Sequence, residues 1–131
     1  MNVETREFVR RRAAGRCEYC RIPDRALILP FHVEHIVASI HKTDDSLENL
    51  AWACPRCNLR KGTNLTTIDP ETTTHVSVFH PRTMSWDEHF AIRDGIIVRN
   101  TSCGRGMVRL LDMNNENRLQ HRRRLIDEDA F

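Results

Sequence analysis

Four of the five cysteines form two pairs with the spacing of metal ligands. Two residues separate Cys17 from Cys20, and two residues separate Cys54 from Cys57. This spacing allows a tight turn that directs both sulfurs at one ion, and two such turns complete a tetrahedral shell around zinc. Because four thiolates leave no open coordination position, the pattern predicts a zinc ion that stabilises structure. A redox pair and unligated buried thiols are the alternatives, and the remaining Cys103 is predicted to be a small buried hydrophobic residue.

The segment that joins the two cysteine pairs, together with the residues just after it, carries a second set of polar residues. Glu34 and His35 come first, Asn49 follows, and Asn58 and Lys61 lie directly after the second pair. In identity, order and spacing these residues resemble the signature of the HNH nuclease family. They are most similar to the subgroup whose ββα-metal fold is braced by a four-cysteine zinc. The resemblance covers residues 17–62.

The resemblance implies a metal-dependent endonuclease that hydrolyses phosphodiester bonds in DNA. His35 would be the general base that deprotonates water, since imidazole titrates near neutral pH. Glu34 and Asn58 would hold one divalent cation, Mg²⁺ or Mn²⁺, against the scissile phosphate. Asn49 would hold the loop that follows the histidine and so orient its ring. Outside the motif these residues have plainer interpretations, namely a structural histidine, an exposed carboxylate, and capping or loop asparagines.

Several positions depart from the usual family pattern. Glu34 stands where Asp is more usual, and Asn58 stands where many members carry His. These oxygen ligands favour Mg²⁺ or Mn²⁺ over zinc and nickel. The connecting loop has Lys42-Thr43 in place of a Gly-Gly pair, and Ala38 replaces a frequent Pro. We expect activity to survive both ligand changes.

Basic residues near the motif predict contacts with a nucleic-acid backbone. Arg56, Arg60 and Lys61 would project from the helix that carries Asn58 and bind phosphates that flank the cleaved bond. His41 and Lys42 could also contact phosphate, although simple solvent exposure is the plainer interpretation. Since no recognition helix or finger array is recognisable, we expect weak sequence preference and strongly salt-dependent binding.

The elements that must position these residues indicate an α+β fold, with a small ββα-metal core stapled by the zinc site. Patterning predicts an N-terminal helix over 4–14, and the core is predicted as a strand within 27–37, a short apolar element at 47–53 and a helix at 55–61. A C-terminal α/β extension is predicted to contain strands at 76–79 and 95–98 and a helix over 106–124. Trp86 and Phe90 are its predicted core anchors.

Length and composition predict one domain over 1–131, with its core at 15–65 and the extension at 66–131. Net charge is only +2, but arginines cluster at 10–12 and at 122–124, which suits a polyanionic partner as well as a solvated helix face. No signal peptide or membrane span is recognisable, so we expect a cytoplasmic protein. A non-catalytic zinc-dependent nucleic-acid-binding module, an RNA-directed nuclease and a pure interaction domain remain alternatives. The choice between monomer and dimer is open.

Overall fold

A computed structural model describes residues 2–131, which divide into two compact units, residues 2–63 and residues 64–131. Within the described residues there are five α-helices and three two-stranded antiparallel sheets, so the predicted α+β class is confirmed. The division lies close to the predicted boundary between core and extension. That the whole chain acts as one nuclease domain stays a prediction. No helix among these residues is both long enough and apolar enough to cross a membrane.

The first unit begins with α1 (Val3–Arg12), which confirms the predicted N-terminal helix. The side chain of Asn2 caps it by accepting a hydrogen bond from the Thr5 amide at 2.7 Å. At its other end the Arg12 guanidinium donates to the carbonyl oxygens of Leu47 at 2.9 Å and Leu50 at 2.6 Å. This arginine of the N-terminal cluster therefore anchors the helix to the strand that begins at Leu50.

The centre of the first unit is a hairpin followed by a helix. Strand β1 (His32–His35) pairs antiparallel with β2 (Leu50–Ala53), and His35 lies opposite Leu50. A 3₁₀ turn, Leu47–Asn49, leads into β2, and α2 (Pro55–Lys61) follows it. Cys54 caps α2, Pro55 occupies its first turn, and Gly62 ends it with a φ of 53°. This order is the predicted strand, second short element and helix.

Strand β1 is shorter than the predicted interval at 27–37. The strand begins only at His32. Before it, Asp24–Ala26 forms a 3₁₀ turn, and the next apolar residues are exposed, with Ile28 102% and Leu29 66% accessible. Pro30 also lacks the amide hydrogen that a strand ladder needs. The apolar run therefore belongs to a surface loop, and the strand contains only the residues that lead directly to His35.

The second unit contains two hairpins and three helices. Its elements are β3 (Thr66–Ile68), β4 (His75–Ser77), α3 (Trp86–His89), β5 (Phe90–Arg93), β6 (Ile96–Arg99), α4 (Ser102–Leu110) and α5 (Glu116–Asp127). Trp86 and Phe90 are both buried and their ring centroids lie 5.1 Å apart, which confirms them as core residues. The two predicted strands are present with ends displaced by one or two residues.

The predicted single helix over 106–124 is wrong, because the segment forms two helices. Asp112 has a left-handed backbone with a φ of 51°, which interrupts the helical path. The Asn115 side chain then caps α5 by accepting a hydrogen bond from the Arg118 amide at 2.9 Å. The hydrophobic pattern continues across the break because buried apolar residues lie on both sides of it, Met107 and Val108 in α4 and Leu125 in α5.

The C-terminal arginine cluster is only partly a charged surface. Arg122 is 3% exposed, and its guanidinium donates to the carbonyl oxygens of Gly95 at 2.9 Å and Met113 at 2.7 Å. The Arg123 guanidinium donates to the Asp94 carbonyl oxygen at 2.9 Å. Arg122 is therefore withdrawn from the predicted basic surface, whereas Arg123 and Arg124 remain exposed.

Candidate active site and metal centre

The four paired cysteines converge in the first unit. The sulfur atoms of Cys17, Cys20, Cys54 and Cys57 all lie within 4.8 Å of one another, and none of these residues is more than 2% exposed. Zinc–sulfur bonds of about 2.3 Å place tetrahedral sulfurs about 3.8 Å apart. The observed distance between the Cys20 and Cys54 sulfurs is 3.8 Å. The cluster therefore fits a structural zinc ion, whose shell these four residues would close.

The chemistry of the thiols supports the same assignment. Burial raises the pKa of the Cys17 and Cys57 thiols well above the usual range, so a nearby cation is needed to stabilise their thiolate forms. Backbone amides of Tyr19 and Cys57 point at the sulfurs of Cys17 and Cys54, each at 3.4 Å. Such amides further favour negative charge on sulfur. Cys103 lies in α4, only partly buried, with a pKa raised to about 11 by burial.

His35 stands at the end of β1 with a partly accessible ring. Its side chain is 29% exposed, and its Nε2 atom lies 2.7 Å from Oδ1 of Asp45. Asp45 lies outside the sequence motif, in the loop between β1 and the 3₁₀ turn Leu47–Asn49, and the motif therefore did not identify it. The sequence feature that could have identified Asp45 is a carboxylate ten positions after His35, in the loop that leads to Asn49.

Asn49 is buried and joins both ends of the loop that follows His35. Its Oδ1 accepts a hydrogen bond from the Val37 amide at 2.9 Å. Its Nδ2 donates to the Val37 carbonyl at 3.0 Å and to the Asp44 carbonyl at 2.8 Å. The Asn49 carbonyl also accepts from the Ile36 amide at 2.8 Å. These contacts are those that a residue orienting His35 through the backbone would make.

Glu34 faces the interior of the first unit. Neighbouring residues of a strand point to opposite faces, so the Glu34 carboxylate is buried while His35 is partly exposed. It accepts a hydrogen bond from the Tyr19 hydroxyl, and its Oε2 lies 3.4 Å from Nζ of Lys61. Burial raises the pKa of Glu34 to about 7, opposed by the Lys61 ammonium and the Tyr19 hydroxyl.

Lys61 corrects a prediction made from the sequence. The expectation was that its ammonium projects from α2 toward phosphate, but Lys61 is 0% exposed. Its Nζ donates to the Ile36 carbonyl at 2.7 Å and faces Glu34. The reason is positional, since Lys61 is the last residue of α2 and lies on the side that packs against β1. It contacts protein and not solvent.

Asn58 lies in α2 and is partly exposed. Within residues 2–131 its side chain makes no hydrogen bond, so the amide oxygen is available to a cation. Glu34 is not available in the same way, because an ammonium stands at 3.4 Å from its Oε2, in a position where a second cation would be repelled. In the observed arrangement Asn58 presents an open oxygen, whereas Glu34 is paired with Lys61, and their joint binding of a divalent cation stays a prediction.

The remaining predicted phosphate contacts lie on the surface. Arg56 and Arg60 are exposed on α2, and Arg56 has no ion-pair partner in the described part of the chain. His41 and Lys42 are exposed in the loop after β1, where Nε2 of His41 lies 2.8 Å from the Thr63 carbonyl. The Lys42 ammonium lies 3.6 Å from Asp44, which partly neutralises it.

Comparison with known proteins bears on this site directly. A family model described as HNH endonuclease matches residues 17–64. No curated protein matches the chain, and no solved structure matches it. The matched interval contains both cysteine pairs, the β1–β2 hairpin and α2. Residues 17–64 are therefore similar to an HNH endonuclease domain.

Proposed function

We propose that the first unit is an endonuclease that hydrolyses phosphodiester bonds in DNA with low sequence specificity. The observation that carries this proposal is the partly exposed His35 at the end of a hairpin whose following loop is held by Asn49. A histidine in this position can reach a water molecule at a bound phosphate. A purely structural histidine would be expected on the buried face, where Glu34 lies.

The proposed chemistry assigns proton removal to His35 and orientation to Asn49. His35 accepts a proton from the attacking water, and the resulting hydroxide displaces the leaving oxygen at phosphorus. When bound, Mg²⁺ or Mn²⁺ would supply charge neutralisation at the phosphate. Asn58 is the predicted ligand whose oxygen is open to such an ion, whereas Glu34 could join it only after its carboxylate had left Lys61.

DNA binding is proposed to depend on phosphate contacts from Arg56 and Arg60, with His41 and Lys42 as further contacts. Neutralising about three phosphates predicts roughly a sixfold loss of affinity when the salt concentration doubles. Fluorescence anisotropy with a labelled duplex measures this slope. An affinity that is unchanged by salt would contradict electrostatic binding, and an Arg56→Ala variant should flatten the slope by about one phosphate contact.

A plasmid-nicking assay tests the proposed activity. The zinc-loaded protein is incubated with supercoiled DNA and Mg²⁺ or Mn²⁺, and the His35→Ala variant is expected to lose cleavage. His32→Ala is the matched control, because His32 is an exposed histidine on the same strand with no hydrogen-bond partner in the described chain. Cleavage that survives His35→Ala would refute the assignment of the base.

A non-catalytic zinc-dependent nucleic-acid-binding module is the second candidate. The inward orientation of Glu34, toward Lys61, favours it because one predicted cation ligand is already engaged. This candidate predicts salt-dependent DNA binding without cleavage by the wild type in either metal. The same two assays therefore separate the candidates.

An RNA substrate is tested by digesting duplex DNA, single-stranded DNA and RNA side by side, since the three differ in shape and in the 2′-hydroxyl. Faster cleavage of duplex DNA than of RNA is the expected result.

We further propose a cytoplasmic location, where reducing conditions keep thiols available for zinc.

A further inference from the structure

His35 has a carboxylate partner outside the sequence motif. Oδ1 of Asp45 lies 2.7 Å from Nε2 of His35, which is a short distance for a hydrogen bond between a ring nitrogen and an oxygen. The Asp45 side chain is 81% exposed, so this contact needs support from the backbone if it is to hold the ring.

The backbone on both sides of Asp45 is fixed by hydrogen bonds. The Asp44 side chain accepts from the Ser46 amide at 2.9 Å, which closes a tight turn around Asp45. The Asp44 carbonyl accepts from Asn49 Nδ2 at 2.8 Å, and the Asn49 amide donates to the Ser46 carbonyl at 2.9 Å. Asn49 therefore determines the position of both partners, since it also binds Val37 just after His35.

The hydrogen bond determines which ring nitrogen carries the proton. A carboxylate oxygen can only accept a hydrogen bond. Nε2 of His35 must then be the donor, and in neutral imidazole this leaves the lone pair on Nδ1. His35 makes no other side-chain hydrogen bond within residues 2–131, so Nδ1 is open to a water molecule.

We propose that Asp45 is a positioning residue for His35 and that Nδ1 is the atom that deprotonates the attacking water. This inference rests on the proposed nuclease activity. One O–H bond of water breaks and its proton moves to Nδ1, while the oxygen forms a bond to phosphorus. The bond from phosphorus to the leaving oxygen breaks, and that oxygen takes a proton from solvent. Asp45 stabilises the imidazolium through the Nε2 hydrogen, and Nδ1 then returns its proton to solvent.

The tautomer of His35 tests the inference without any measurement of activity. Protein labelled with ¹⁵N-histidine is studied by NMR at about pH 8, above the range in which histidine is usually protonated. The His35 signal is assigned by its loss in His35→Asn. We expect the Nε2–H tautomer in the wild type, with the signal of the Nε2 proton shifted downfield by its hydrogen bond to Asp45 and this downfield shift lost in Asp45→Ala. A wild-type Nδ1–H tautomer, or an Nε2 proton signal that Asp45→Ala leaves unchanged, would overturn the proposal.

Nicking kinetics test its consequence for catalysis. Asp45→Ala is expected to lower kcat about tenfold, because His35 loses one charge-assisted hydrogen bond. KM should be unchanged, because Asp45 does not contact DNA. Asp45→Glu should recover part of the loss. Asp87→Ala is the charge-matched control, since Asp87 is exposed and has no ion-pair partner among residues 2–131.

The two measurements separate this inference from the proposed function. An unchanged or increased kcat in Asp45→Ala would show that the carboxylate does not help the ring or that it blocks it, and either result overturns the inference. A wild type that fails to nick any substrate refutes the nuclease proposal and with it the role of Nδ1 as a base. The NMR result would in that case still decide whether Asp45 orients His35.

Discussion

Replacing Lys61 with Met tests whether the buried pair with Glu34 stabilises the first unit. Lys61 is 0% exposed and the Glu34 side chain is 5% exposed, so neither charge is well solvated. At the observed 3.4 Å, and with an effective dielectric constant of about 20, their attraction is about 5 kcal/mol before desolvation is counted. Lys61→Met keeps the length and helix propensity of the side chain but removes the ammonium.

The expected loss in the free energy of unfolding is about 3–5 kcal/mol, because the variant leaves a buried carboxylate without its cation. The Ile36 carbonyl also loses the hydrogen bond that it accepts at 2.7 Å. The double variant Glu34→Gln/Lys61→Met should recover a large part of the loss, since it removes both charges. Glu34→Gln alone should cost less than Lys61→Met, because an amide can still accept a hydrogen bond from Tyr19.

Urea unfolding of the zinc-loaded proteins, monitored by Trp52 fluorescence, measures these differences. Trp52 lies in β2 and is buried, so its emission reports on the first unit, and Trp86→Phe removes the second tryptophan signal. Arg56→Met is the matched control, because it removes one positive charge from the exposed side of the same helix and should cost less than about 0.5 kcal/mol. If Lys61→Met were as mild as Arg56→Met, or if the two substitutions were additive in the double variant, the description of a buried ion pair would be refuted.

Three further predictions concern the metal, the loop and the second unit. Cys57→Ser should reduce zinc content below one ion per chain and unfold the first unit, as metal analysis and circular dichroism would show, whereas Cys103→Ser should retain zinc. Asn49→Ala should speed hydrogen exchange at the Val37 amide, which loses its acceptor at 2.9 Å; unchanged protection would argue against Asn49 as the anchor of the loop. Asp69 accepts two hydrogen bonds from Arg105, at 2.9 and 2.8 Å, and these hold its pKa below the usual value. Its contribution to stability should therefore be complete above about pH 4 and be lost as the pH falls through the lowered pKa, so Asp69→Asn should flatten the acid side of a Tm-against-pH curve.

The sequence by itself predicted the four-cysteine cluster and the similarity of residues 17–64 to an HNH endonuclease domain. The cysteine spacing favours two tight turns that each direct a pair of sulfurs at one ion. The four sulfur atoms converge as this arrangement predicts. The order of hairpin and helix also followed from local signals, namely the residues that lead directly to His35, Pro55 in the first turn of α2 and Gly62 at its end. These features could be predicted because each depends on residues close together in the chain.

The tertiary structure decided which way the site residues face. Glu34 and His35 are adjacent in sequence, and only burial of one face of the hairpin turned Glu34 toward Tyr19 and Lys61. The contact between Asp45 and His35 depends on a loop closed by Asn49, which spacing along the chain does not reveal. Hydrophobic periodicity likewise did not predict the break at Asp112, because buried apolar residues lie on both sides of it. Side-chain direction and long-range pairing are properties of the folded chain, and they distinguish a residue that can touch substrate from one that supports the fold.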